Sequence, residues 1–337
     1  MRKPCIVILL LMLLPNSLWA VDNKLSSKPA VQASEYEERQ QLIERMSAVT
    51  GIPWIYLAAV DQYERTITIA NKKTRVPRQG LTAIQYPEEQ WAGPLNPDKN
   101  ETSPQTIALF GGIGMDGNAD GIADRNNDED VLYTVAKHLQ KHGTSIEDFR
   151  IAVWELYHNS RAVDRIIQFA NIYAAFNTLE LEQHAFPVPL RSNYTYRGTW
   201  GARRGWGGLR IHEGTDIFAG YGVPVRSTCY GIVEIKGWNR YGGWRIGIRS
   251  INNVYHYYAH LSGFNKEVAI RNRVVKPGDV IGWVGSSGYG NPGTSGKFPP
   301  HLHYGLYRDG GLTDWSFDPY PNLLRWEREE AKRRRSG

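Results

Sequence analysis

His212 and Asp216 stand four residues apart in His212-Glu213-Gly214-Thr215-Asp216, with Gly214 allowing a tight backbone path between them. His301-Leu302-His303 sets two imidazoles two residues apart, and on a strand alternate residues share a face. His260 lies near the end of the run Val254–Leu261, where the same period predicts that His256, Tyr258 and His260 share one face. Imidazoles together with a carboxylate match what metal-assisted hydrolysis requires. A catalytic zinc takes three protein ligands from His and Asp/Glu and keeps one position for water, whose pKa it lowers to about 7. Further imidazoles can move protons or steady an oxyanion. Spacing leaves open which imidazoles bind metal. A histidine inside a tyrosine-rich strand, as His256 is, is more often a packed structural residue than a ligand. Tyr241, Tyr258, Tyr289 and Tyr304 read equally well as groove walls or as strand packing.

The elements that must carry these groups are strands. From about residue 186 the chain turns dense in glycine and aromatics, and Gly231–Ile235, Trp244–Ile248, Val254–Tyr258 and Val280–Val284 are short apolar runs bounded by turn residues. The region resembles the lysostaphin/LytM-type zinc endopeptidases that cut peptidoglycan peptides. The likeness runs from Arg210-Ile-His212-Glu-Gly-Thr-Asp216-Ile217 through Gly222-Val-Pro224-Val225, Tyr257-Tyr258-Ala-His260-Leu261-Ser262 and Gly278-Asp279-Val-Ile281-Gly282-Trp-Val-Gly285. It ends with Gly296 through Pro300-His301-Leu302-His303-Tyr304, so five separated blocks stand in order within residues 195–310. The resemblance implies an antiparallel β-sheet whose groove holds Zn2+, with His212, Asp216 and His303 as ligands. It also implies that His260 and His301 act on water and the transition state, their division of labour left open.

The first half reads differently. Tyr36–Val49, Val131–Leu139, Ile151–Trp154 and Val163–Ile172 carry apolar residues at helical spacing, and Gly143-Thr144-Ser145 reads as a helix stop and a new cap. Gly51 to Glu64, Leu81-Thr-Ala-Ile-Gln85-Tyr86 and Ala152-Val-Trp-Glu-Leu-Tyr157-His158 resemble, diffusely over residues 45–175, the lytic transglycosylases. That likeness implies a lysozyme-like helical fold with Glu64 as the glycosidic acid. The following Arg65 would tend to lower its pKa, the wrong direction for a general acid, and Asp61 competes for the position. The region is therefore expected to bind sugar strands rather than cut them. Asp116-Gly-Asn118-Ala-Asp120-Gly121-Ile122-Ala-Asp124 resembles an EF-hand loop, with Asn127 where the bidentate Glu belongs, which makes Ca2+ through Asp116, Asn118, Asp120, Ile122 and Asp124 a second candidate.

Residues 1–20 read as a secretory signal peptide: Arg2 and Lys3 precede the apolar run Ile6–Leu14, and Ala20 suits cleavage. Only two cysteines occur, which rules out a disulfide-stapled fold, and Cys229 reads as a buried small residue. With 40 Lys+Arg against 34 Asp+Glu the charge is +6, compatible with an anionic wall but naming no partner. The whole predicts an α+β multidomain chain: signal peptide 1–20, linker 21–35, helical domain 36–185, antiparallel β metallopeptidase domain 190–320 and a charged, solvated tail 321–337. The predicted activity is that of a secreted or wall-associated peptidoglycan endopeptidase with no nucleic-acid partner. A bifunctional enzyme that also cuts glycan, and a non-catalytic wall-binding scaffold, are the alternatives.

Overall fold

The computed structural model describes residues 34–205 and 210–336; the signal-peptide reading of residues 1–20 and most of the linker lie outside them. Helices come first: α1 (Glu35–Thr50), α2 (Trp54–Ala70), α3 (Glu88–Ala92), α4 (Pro104–Leu109), α5 (Asp128–Gln140), α6 (Ile146–Tyr157) and α7 (Ser160–Phe176). The caps are local chemistry. Ser34 and Ser145 each close a capping box, on Glu37 and Asp148, and Asn159 accepts from the amides that open α7. The apolar stripes meet in one core built on Leu57, Val60, Val131, Val135, Phe149, Ile166 and Phe169.

Strands follow: β1 (Tyr194–Tyr196), β2 (Arg203–Arg204), β3 (Arg210–Ile211), β4 (Thr215–Ala219), β5 (Pro224–Arg226), β6 (Gly231–Asn239), β7 (Gly243–Ser250) and β8 (Val254–Phe264). They continue with β9 (Val274–Val275), β10 (Val280–Val284), β11 (His301–Asp309) and β12 (Asp314–Phe317), and helix α8 (Tyr320–Ser336) closes the chain. Apart from the hairpin of β2 and β3, the strands form one antiparallel sheet with spine β1-β4-β11-β8-β7-β6-β9. β4, β11 and β8 lie side by side at its centre, and those strands carry the chemistry.

Charged and irregular stretches depart from the sequence reading in two places. The tail, expected as a solvated, partly ordered helix end, is a helix whose inner face is packed: Leu323 and Trp326 are buried in the sheet core, and Glu330 forms a buried pair with Arg226 at 3.0 Å. Its alternating charges disguise an apolar stripe at helical spacing. The 116–124 loop does not gather its carboxylates. Asp116 accepts from Ala119 and Gly121 amides, Asp120 from Ile122, and Asn127 caps α5 through Glu129 and Asp130 amides. Those are turn and cap bonds, and they account for the Asp/Asn/Gly spacing without a cation.

Helices and sheet share a boundary of both kinds of contact. Ile232 and Ile251 belong to the helical core, and Phe176 meets Tyr230 edge to face at 4.8 Å. Arg161 and Arg165 of α7 both reach Asp309, at 3.0 and 2.9 Å, and Arg165 also pairs with Glu234 of β6.

Candidate active site

Cross-strand register assembles the site. His303 stands opposite Asp216 and His301 opposite Phe218 in the β4–β11 ladder, while His303 stands opposite Ala259 of β8. His212 arrives from the turn between β3 and β4. The result is a triangle: His212 Nε2 to Asp216 Oδ1 is 3.0 Å, His303 Nδ1 to Asp216 Oδ1 is 3.0 Å, and the two nitrogens are 2.9 Å apart. Among the described residues this is the group of metal-ligating side chains whose donor atoms all lie within 4.8 Å of one another. Burial acts to raise the Asp216 carboxyl, but the surrounding imidazoles of His212, His303 and His301 outweigh it and hold it well below the usual range.

The donor set fits zinc. Two imidazole nitrogens and one carboxylate oxygen are the hard-to-borderline ligands the ion takes, and atoms about 3 Å apart can share a centre at its usual distance of about 2.0–2.1 Å. Gly214 forms part of the seat, since a Cβ there would lie 2.6 Å from His303 Cε1 and from the Tyr304 carbonyl oxygen. The outer partners also match. His212 Nδ1 meets the Thr199 carbonyl at 2.9 Å; a carbonyl only accepts, so the ring proton sits on Nδ1 and Nε2 is left as the donor toward a metal.

The same device orients the other two imidazoles. His260 Nδ1 donates to the Ser287 carbonyl at 2.8 Å and His301 Nδ1 to the Pro299 carbonyl at 2.9 Å, so each ring directs Nε2 elsewhere. His301 Nε2 lies 3.8 Å from Asp216 Oδ1, and the His260 ring lies 4.8 Å from that of His301 and 5.9 Å from that of His303. Burial, with His301 and His303 nearby, pushes the His260 pKa well below its ordinary value, so this imidazole is neutral at pH 7.

Strand period misplaces His260. His256 and Tyr258 do face the core with Tyr304, where His256 Nδ1 lies 2.8 Å from Thr228 Oγ1 and 2.7 Å from the Tyr304 hydroxyl. His260 should follow them, but its φ is +63°, and this left-handed residue turns the ring to the opposite, groove face. Tyr258 and Tyr304 are thereby core residues, whereas Tyr241 and Tyr289 line the groove. Sequence reasoning missed Tyr257, Tyr307 and Arg210 as lining residues, together with the carbonyl anchors of Thr199, Ser287 and Pro299. Tyr257 and Tyr307 sit on the His303 face by register, which alternation along the two strands could have shown. Backbone carbonyls carry no sequence signal.

Glu64 and Asp61 lie elsewhere, on α2 in the helical core. Asp61 is fully buried, pairs with Arg39 at 2.7 Å and accepts from Thr82 Oγ1 at 2.7 Å, so it pins the loop after α2. Arg65 turns away from Glu64, toward Asp61, Glu35 and the Leu81 carbonyl. The cation beside Glu64 is Arg75, at 3.1 Å. Burial nonetheless raises the Glu64 pKa, with Arg75 and Tyr157 opposing it, so the lowering expected from Arg65 is not what the fold produces. Glu64 lines neither the cavity beside the imidazoles nor the one between helices and sheet.

The profile of peptidase family M23 matches residues 210–315, the segment that carries all five groups. The L-Ala–D-Glu endopeptidase of Bacillus subtilis strain 168 is 54% identical over 298 residues, covering 88% of this chain and 91% of that protein. This chain belongs to peptidase family M23. Within M23, lysostaphin of Staphylococcus simulans is 35% identical over 115 residues, 34% of this chain and 21% of that protein. The solved catalytic domain of that lysostaphin shares 31% identity and covers 40% of this chain and 92% of its own, with a TM-score of 0.32. The M23 profile is confined to the sheet, but a 298-residue match necessarily takes in most of the helical region as well.

Proposed function

We propose that this M23 peptidase is a zinc-dependent endopeptidase that opens the L-Ala–D-Glu amide of peptidoglycan stem peptides. The observation that carries the reading is the His212–Asp216–His303 triangle with two further imidazoles beside it, all on one face of the sheet. The bond is chosen from the Bacillus relative, whose likeness runs through both halves of the chain, over the lysostaphins, whose likeness is confined to a third of it. When bound, zinc would supply a Lewis acid that polarises the scissile carbonyl and acidifies water. The chain's own residues do the rest. His212, Asp216 and His303 would hold the ion. His260, neutral and anchored through Nδ1, presents Nε2 as the acceptor of a proton and can return it to the departing amine. His301, anchored through Nδ1 on the Pro299 carbonyl with Nε2 3.8 Å from Asp216 Oδ1, stands beside the triangle, where it can meet the developing oxyanion.

Mass spectrometry of digested sacculi tests the bond. The expected product has a new N-terminal glutamate; new termini at a cross-link or at a glycine bridge would reject this assignment while keeping an amide hydrolase. A non-catalytic scaffold has no use for five groups with such defined anchors. Export to the wall is the compartment this substrate requires, and residues 1–20 are read accordingly. In the helical region, a lysozyme-like fold that binds glycan strands is the finer reading. One observation favours glycan cleavage too: burial raises the Glu64 pKa, as a glycosidic acid needs. Against it stand Arg75 at 3.1 Å and the enclosure of the carboxyl. Anhydromuropeptide release that disappears in Glu64→Gln would establish the second activity.

A further inference from the structure

The cavity in front of the triangle measures about 220 Å³, and among its described lining residues Arg210 is the only lysine or arginine. Two tyrosines fix where its charge sits. The guanidinium carbon lies 5.2 Å from the Tyr241 ring and 5.4 Å from the Tyr289 ring, and Nη2 donates to the Tyr289 hydroxyl. The two walls are themselves held. Asn239 Oδ1 accepts from the Tyr241 and Gly242 amides at 2.9 Å, and the Gly290 amide donates to the Arg240 carbonyl at 3.0 Å, tying one wall's loop to the other's. Tyr289 has a φ of +56°, a strained backbone for a bulky side chain, and Lys297 Nζ donates to its carbonyl at 2.7 Å. A long, rotamer-rich side chain is thus immobilised two residues before His212, at the rim of the reacting centre. The other charged lining residue outside the triangle, Glu213, is engaged by the Tyr307 hydroxyl at 3.2 Å.

A fork of donors held rigid in a groove suits a planar carboxylate. The proposed substrate offers one. A glutamate bound through its nitrogen and one carboxyl keeps its other carboxyl, within a few bonds of the scissile nitrogen. Resting on the L-Ala–D-Glu reading above, we propose that Arg210 is the specificity residue of this groove and pairs with the unamidated carboxylate of the glutamate whose nitrogen is released. Substrates in which that carboxylate is a carboxamide are then poor ones.

Two synthetic peptides that differ only in carboxylate or carboxamide at that glutamate test the proposal on the zinc-loaded wild-type enzyme. The carboxamide peptide is expected to show a kcat/KM lower by roughly 10–100-fold, the range of one charge-assisted hydrogen-bonded contact. Arg210→Gln should lower kcat/KM for the carboxylate peptide by a similar factor and remove the preference, with one zinc per chain and an unchanged unfolding midpoint. Arg210→Lys should restore part of the preference. Equal rates of the wild-type enzyme on both peptides would overturn the proposal whatever the variants do, as would a preference that survives Arg210→Gln. Failure of the underlying reading looks different: neither peptide is cut and sacculi yield termini at another bond.

Discussion

Gly214 shows how little space the site has at the level of single atoms. A methyl group there would sit 2.6 Å from the His303 ring and equally close to a backbone carbonyl, and backbone does not yield. Gly214→Ala should therefore push His303 out of the triangle and weaken zinc binding by about 10–100-fold, the scale of perturbing a metal site's support, measurable by competition with a chelator. The ligands themselves should behave as a set: His303→Ala and Asp216→Ala each lose zinc and peptide hydrolysis together. Zinc-free hydrolysis by either variant would remove the basis of the proposed function. His260→Ala separates the roles. It should keep zinc at one per chain while kcat falls by about 10²–10⁴-fold, the contribution typical of a proton-transferring side chain.

Along β8 a single element serves both faces of the sheet. Up to Tyr258 it alternates regularly, and His256 is sealed in the core against Thr228, Tyr304 and, at 6.1 Å, Trp326 of α8. The left-handed residue at His260 then turns the strand's chemistry outward. Burial pushes the His256 pKa well below 6.5, so the unfolded chain binds its proton first as pH falls. Stability carried by neutral His256 is complete above about pH 6.5 and drains away as pH drops below it. Thermal unfolding followed from pH 7.5 to 5 should show a falling midpoint. In His256→Gln the fall should be shallower, and at pH 7.5 that variant should be less stable by about 1–3 kcal/mol because Thr228 and Tyr304 lose a partner in a buried network.

Across the molecule, α7 and the sheet are joined by charge rather than by apolar area alone. Asp309 is buried at the end of β11 and takes Arg161 and Arg165 from one face of α7, while Arg249 and Arg165 share Glu234. Burial acts to raise the Asp309 carboxyl, yet Arg165, the Gly311 amide and Arg249 hold it below the ordinary carboxylate range. Removing one partner strands the rest. Asp309→Asn is expected to cost about 3–5 kcal/mol, read as a lower midpoint in urea unfolding monitored by tryptophan fluorescence and by far-UV dichroism. Because the cluster spans both halves, the helical and strand signals should fall together in the variant and in the parent. A loss confined to the helical signal would show that the halves are coupled less tightly than these contacts indicate.

Chain order alone determined a good deal: a helix capped at Ser145 and strands at Gly231, Trp244 and Val280, because apolar periodicity and turn residues are local properties, whereas the five groups of the site were named by the family resemblance and not by spacing. Where those groups point is not local. His260 faces the groove because of one backbone dihedral, Tyr258 is core while Tyr289 is wall, and Arg210 is held in the groove because two loops distant in sequence meet at it. Arg75 rather than Arg65 answers Glu64 for the same reason, since a helix sends neighbouring residues to different faces. The charged tail conceals a buried stripe, and an EF-hand-like spacing resolves into turn hydrogen bonds. Side-chain chemistry is written residue by residue, but the direction a side chain takes and the partner it meets are set by packing that only the folded chain brings into being.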